Sequence, residues 1–244
     1  MRGTWIIFQR EIGQYFVSPI AYLIAFAFLV TTAVLFNSDL AYSVSIKPAD
    51  PAVIPNFLAF MMVFVAPLLT MRMLAEESRE GTLELLLTAP VKDSDVVFGK
   101  FLSAWTYYTV LLALTFVYQI LLVVITPENV VDFGLATSAY AGIWLYGGAA
   151  LSVGLLFSAV SENQIVAAFL STAALLLLWL GDLAGDIVAN IDLARVIRVL
   201  TLPGHFTSSF ALGIVRAEDI AYYAGIIVIM LFITIRIVES HRWR

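Results

Sequence analysis

Side chains able to do chemistry are few and widely separated in this chain. It has no cysteine and only two histidines, His205 and His241. Disulfides, thiolate metal sites and cysteine nucleophiles are therefore excluded, and a histidine-based metal cluster lacks ligands. Asp182 and Asp186 flank Gly185 at the end of an apolar run. Paired carboxylates could bind a cation or relay protons, but there they more simply end a membrane helix at water. Glu162 lies between two long apolar runs whose combined length is too great for one helix, so it is read as a turn residue. His205 follows Pro203-Gly204 and reads as a hydrogen-bonded loop histidine, with a pH sensor as the rival. A phosphate-binding loop needs G-x-x-x-x-G-K-[ST]. Gly99-Lys100 fails that test twice, with Phe101 after it and Ser94 five positions before Gly99. The expectation is no catalytic residue, no metal site and no nucleotide site in this chain.

Charge concentrates instead in 71–105, MRMLAEESREGTLELLLTAPVKDSDVVFGKFLSAW. Glu76, Glu77, Arg79, Glu80 and Glu84 crowd one stretch, interrupted by Gly81-Thr82. Thr82 can cap a helix through Leu83–Thr88, with Glu84 near its positive end. Ala89-Pro90 ends it, and Asp93 or Ser94 can start the next. Four of the five residues 83–87 are leucines, which an exposed loop does not need. Such a helix must bury its apolar face in lipid, in its own bundle or in the groove of a partner protein.

These residues are held by an unusually apolar chain. Of 244 residues 61% are apolar and 13% charged, about half the ~25% of a soluble domain. The mean hydropathy is +0.96. So few charges cannot clothe a soluble surface, and a net charge of −5 argues against nucleic-acid binding. A membrane-crossing helix needs about 20 apolar residues. The charge-free runs predict an all-α, polytopic membrane protein with six spans near 18–37, 55–75, 101–125, 139–160, 164–183 and 219–238, in a single domain over 1–244. The run 199–215 contains Pro203-Gly204, read as a helix break, so 186–215 is expected to be re-entrant or surface-lying rather than a seventh span.

Nine Lys and Arg fall on the side of the termini and four on the other, which predicts cytoplasmic termini. The N-terminal apolar run is too long for a signal-peptide core, and no cleavage-like site follows it. Within 2–17, Trp5, Phe8, Ile12, Tyr15 and Phe16 recur at helical spacing against Arg2, Gln9, Arg10, Gly13 and Gln14. This predicts an amphipathic interfacial helix ended by Ser18-Pro19. Tyr107, Tyr108, Tyr118 and Gln119 are candidates to face a polar interior. Gly142, Gly147, Gly148 and Gly154 form a small-residue packing seam.

The run PLLTMRMLAEESREGTLELLLTAPVKDSDVVFGKFLSAW resembles the signature of type-2 ABC transporter permeases. It is most similar to the branch associated with gliding motility and nitrous-oxide-reductase maturation. The shared pattern is P-x-L-T-M-R at 67–72, A-E-E at 75–77, G-T-x-E-L-L-L-T-x-P-V at 81–91 and G-K-F at 99–101. WIIFQREIGQYFVSPIAYL resembles the family's elbow helix and first span, and PGHFTSSFALGIVRAEDIAYY the stretch before its last span. The resemblance implies six spans and a coupling helix that docks on a separate ATPase. That contact would comprise Glu76, Glu77, Glu80, Gly81, Thr82, Leu83, Glu84, Leu86, Leu87 and Pro90. The acids would meet basic groups of the ATPase, and the leucines its groove or the bundle. The Pro203-Gly204 pair alone makes Pro203, Gly204 and His205 candidates for an outer gate; in the resemblance, Glu162 would form the smaller second contact. The resemblance further implies a second permease copy or paralogue, surrounding membrane lipid, and ATP and magnesium bound only by the partner. The cargo is not legible. A secondary transporter would want charges near the midplane and a membrane enzyme would want clustered His, Asp or Cys; neither is present. A non-transporting structural or force-coupling subunit stays open.

Overall fold

The computed structural model describes residues 2–43, 50–82, 91–125, 132–187 and 199–241. Helix α1 runs over Arg2–Val17 and α2 over Pro19–Ser43, separated only at Ser18. Proline suits the first turn of a helix and disfavours helical geometry in the residue before it, so the chain bends there. Then come α3 (Val53–Thr70), the short α4 (Ala75–Arg79), α5 (Asp93–Thr115), α6 (Val117–Ile125) and α7 (Phe133–Val160). The series ends with α8 (Gln164–Ile187), α9 (Leu202–Thr207), a 3-10 helix (Phe210–Leu212) and α10 (Ala217–His241). Side-chain caps start two of the long helices. Asp132 accepts from the amides of Gly134 and Leu135, and Asn163 from that of Ile165.

Among the described residues, six helices are long and apolar enough to cross a membrane: Pro19–Ala41, Val53–Arg79, Asp93–Val124, Phe133–Val160, Gln164–Asp182 and Ala217–His241. Each overlaps one of the six expected runs. The third is already helical from Asp93, where Asp93 and Asp95 in the first turn suit the helix dipole.

Helix α7 is the core of the bundle, packing on α3, α5, α8 and α10. Its glycines explain the closeness. A Cβ on Gly147 would strike the Tyr108 ring, and one on Gly154 would strike Thr70 Oγ1. At Gly148 it would come within 2.9 Å of Trp105. The small-residue seam is thus filled by side chains of α3 and α5. On the outside, Leu23, Phe26, Phe169, Leu177, Val228 and Phe232 leave large apolar surface exposed, as lipid-facing helices do.

Two expectations fail. Tyr107, Tyr108 and Gln119 do not line a polar interior. They donate to backbone carbonyls of neighbouring segments, Ala21 at 2.8 Å, Ile143 at 2.9 Å and Pro51 at 2.9 Å, because a buried hydroxyl or amide must find a partner. Nor does Pro203-Gly204 break a helix. Pro203 sits in the first turn of α9, where its missing N–H costs nothing. The breaks lie outside it, at Thr201 and at Gly213, whose φ of +81° favours glycine. Residues 199–215 still form short pieces rather than a spanning helix.

Candidate functional site

One end of the bundle gathers charge, and its geometry starts with α1. The face of α1 turned to the protein is mixed. Ile7 and Glu11 are buried, whereas Trp5 and Phe16 are about half exposed. Gly99 of α5 admits this contact, since a Cβ there would lie 2.7 Å from Ile7 Cγ2. Thr4 also donates to Asp95. The helix therefore packs Ile7 and Glu11 together with Ile12 and Tyr15 on the bundle, Tyr15 stacking on Tyr107, so the expected stripe is divided between protein-facing and exposed residues.

Burying Glu11 requires a counter-charge, and Lys100 of α5 supplies it. Lys100 is 1% exposed, with its Nζ 3.1 Å from Glu11 Oε1 and 2.9 Å from Glu77 Oε1. Arg10 closes the group, donating through Nη2 to both Glu11 and Glu77. Burial pushes the Arg10 guanidinium down, but the hydrogen bonds and charges of Glu11 and Glu77 outweigh it and hold it above the usual arginine value. Two cations thus bracket two carboxylates and tie α1, α5 and the α4 segment together. Tyr15 adds a further tie, donating to the carbonyl of Leu69 at 2.6 Å. Burial, then the nearby Glu11 charge, hold its hydroxyl well above the ordinary tyrosine value, so it remains a donor.

The segment that follows α3 is fixed from two more directions. Arg72 grips Glu76 through Nε at 2.8 Å and Nη2 at 2.9 Å. Ser158 Oγ of α7 accepts from the amides of Leu74 and Ala75, at 3.0 and 3.1 Å, and donates to the carbonyl of Met71. That serine lies one turn before the 161–163 turn. The structure therefore brings Glu76–Thr82 and the exposed Glu162 to the same end of the bundle, where α4 touches α7 and α8. Glu76 and Glu77 are held inside the chain by arginine and lysine. Glu80, Gly81 and Thr82 are exposed, with Gly81 at φ +71° and Thr82 Oγ1 3.3 Å from the carbonyl of Glu77. Leu83, Glu84, Leu86, Leu87 and Pro90 lie outside the described residues.

The opposite end holds the other expected site. Pro203 is buried, and His205 is clasped to α10. Its Nδ1 lies 2.6 Å from Asp219 Oδ1 and its Nε2 3.0 Å from the carbonyl of Val199, while its ring stacks on Tyr222 at 3.8 Å. Phe210 packs against Gly142, and Tyr223 donates to the carbonyl of Leu202 at 2.8 Å. Thr201 Oγ1 lies 3.5 Å from Asp182. Asp219 was an expected span-end residue; its role in the clasp had no sequence signal. Glu11 and Lys100 did have one. Each is the charge that borders a long charge-free run, 12–38 and 101–127, and the two are of opposite sign.

Six apolar helices, with the glycine-rich α7 at their core, define a polytopic helical membrane protein. The chain belongs to the ABC-2 family of transporter proteins, whose family model matches residues 5–198. That membership makes it a membrane permease component of an ABC transporter. No curated protein matches the chain.

Proposed function

We propose that this chain is the permease subunit that couples ATP hydrolysis by a separate ATPase to movement of a cargo across the cell membrane. Two copies, or this chain and a paralogue, face each other, and two ATPases dock beneath them. Both termini and the α4 end lie in the cytoplasm. Within the family we place the chain nearest the gliding-motility and nitrous-oxide-reductase-maturation branch, on the motifs at 67–72, 75–77, 81–91 and 99–101. The chain catalyses no covalent chemistry, and ATP and magnesium belong to the partner.

The observation that carries this reading is the anchored α4 segment. Arg72, Ser158, Lys100 and Arg10 hold its base to α3, α7, α5 and α1. A displacement of residues 80–90 by a docked ATPase is thereby transmitted to those helices rather than absorbed in a loose loop. The roles within the segment divide accordingly. Glu76 and Glu77 fix its base, while Glu80, Gly81 and Thr82, with Leu83, Glu84, Leu86, Leu87 and Pro90, meet the ATPase. Glu162 adds the second contact from the neighbouring turn. Pro203, Gly204 and His205 belong to the outer gate, latched by Asp219. Co-purification from native membranes tests the class: an ATPase at equal stoichiometry is expected, and its consistent absence would contradict the proposal.

A further inference from the structure

A cavity of about 800 Å³ opens at the charged end, between α1, the start of α2, the end of α3 and α4. Its walls divide by chemistry. Ile20, Ala21, Ile24 and Leu68 form an apolar side. Ile20 and Leu68 remain 40% and 42% exposed, so this side opens outward from the bundle. Arg10, Arg72, Glu76, Glu77 and Glu80 form the other side, with Lys100 and Glu11 behind them. Helix α2 is long and apolar enough to cross the membrane, and α1 joins it at Ser18 with Trp5, Phe16 and Val17 exposed. The cavity therefore lies where hydrocarbon gives way to headgroups.

Its charges are of both signs. Three cations and four carboxylates line it. A simple anion would meet the glutamates and a simple cation the guanidiniums. Arg72 binds Glu76 through Nε and Nη2, which leaves Nη1 outside that pair. Glu77 spends Oε1 on Arg10 and Lys100, while its Oε2 is buried without a hydrogen-bond partner. A buried carboxylate oxygen lacking a donor is costly, and an N–H donor relieves it. A phosphate for the free edge of Arg72 and an ammonium for Glu77 and Glu80 are the two charges of a zwitterionic phospholipid. The ammonium must be primary, because a quaternary one has no N–H to give. The volume suits a headgroup and the upper part of its chains.

We propose that this cavity binds one phospholipid of the phosphoethanolamine type, its headgroup among Arg72, Glu77 and Glu80 and its chains along Ile20 and Ile24. The lipid would fill the space between the first span and the α4 segment. The test is native mass spectrometry of the full chain in detergent, titrated with phosphatidylethanolamine, phosphatidylcholine and phosphatidylglycerol of identical chains. One phosphatidylethanolamine per chain is expected, bound about tenfold tighter than either other lipid. Arg72→Gln, and separately Ile20→Trp, which fills the apolar wall without adding charge, should each weaken it by about tenfold while the protein stays monodisperse. Equal affinity for the three headgroups would overturn the proposal. So would unchanged binding in whichever of the two variants stays monodisperse, or a dimer that carries no lipid because the second copy covers the opening. None of these outcomes bears on ATPase docking, which is read from partner recovery and not from lipid.

Discussion

Among the described residues, Lys100 is the most deeply buried charged side chain. Its ammonium is buried against Glu11 and Glu77, and removing one partner of a buried ion group leaves the others uncompensated. Lys100→Met should therefore cost about 3–5 kcal/mol, read as a lowered melting temperature of the detergent-solubilised protein. Adding Glu11→Gln to that variant should restore part of the loss, because the two positions are coupled. Simple additivity of the two losses would mean the cluster is not a unit. The same logic changes how Glu77 is best probed. Glu77→Lys would place a third cation beside Lys100 and Arg10, so its effect on an ATPase would be confounded with damage to the fold. At the far end, His205→Ala should raise amide hydrogen exchange across 199–212, since it severs the links to Asp219 and Val199. Unchanged exchange there would show that the 199–212 segment does not depend on the clasp.

At the scale of elements, the glycine seam of α7 makes a sharp case. Gly147→Val must push into the Tyr108 ring and should cost about 1–3 kcal/mol by overpacking. Gly13→Val, where added atoms meet open space, should move the melting temperature far less. Equal effects would mean that the seam is loosely packed. The six long helices were legible from charge-free runs because hydrocarbon thickness fixes their length. The bend at Ser18-Pro19 was legible from proline chemistry. What the pattern hid was direction. The pattern on α1 suggested one interfacial stripe, but Ile12 and Tyr15 pack on the bundle beside Ile7 and Glu11, while Trp5 and Phe16 stay about half exposed. Periodicity thus marked an amphipathic helix without separating its protein-facing residues from its exposed ones. The span tyrosines misled for a related reason. A hydroxyl in a span points to any free carbonyl within reach, here those of Ala21 and Ile143, and need not mark a channel. The short α4 was not legible either, because Ala75–Arg79 has too few residues to show a period and is held by Ser158 and Arg72.

For the whole molecule, the ABC-2 family supplies the class and the bundle supplies the geometry: charged, anchored segments at one end and a clasped, broken segment at the other. Orientation is the first consequence to check. Single cysteines introduced into this cysteine-free chain should react with an impermeant reagent from outside at Ser45 and Glu128, and not at Ser78 or Arg244; outside labelling of Ser78 would invert the topology. Coupling is the second. Residues 80–90 are proposed to meet the ATPase, and exposed ion pairs alone contribute only about 0–1 kcal/mol each. A decisive variant must therefore attack the apolar contact as well. The measurement is recovery of the ATPase with detergent-solubilised permease carrying Glu84→Lys and Leu86→Asp, with the size-exclusion profile of the permease recorded in parallel. A monodisperse permease that no longer retains the ATPase is the predicted result. A monodisperse permease that retains it fully would contradict the assignment of this segment as the docking element.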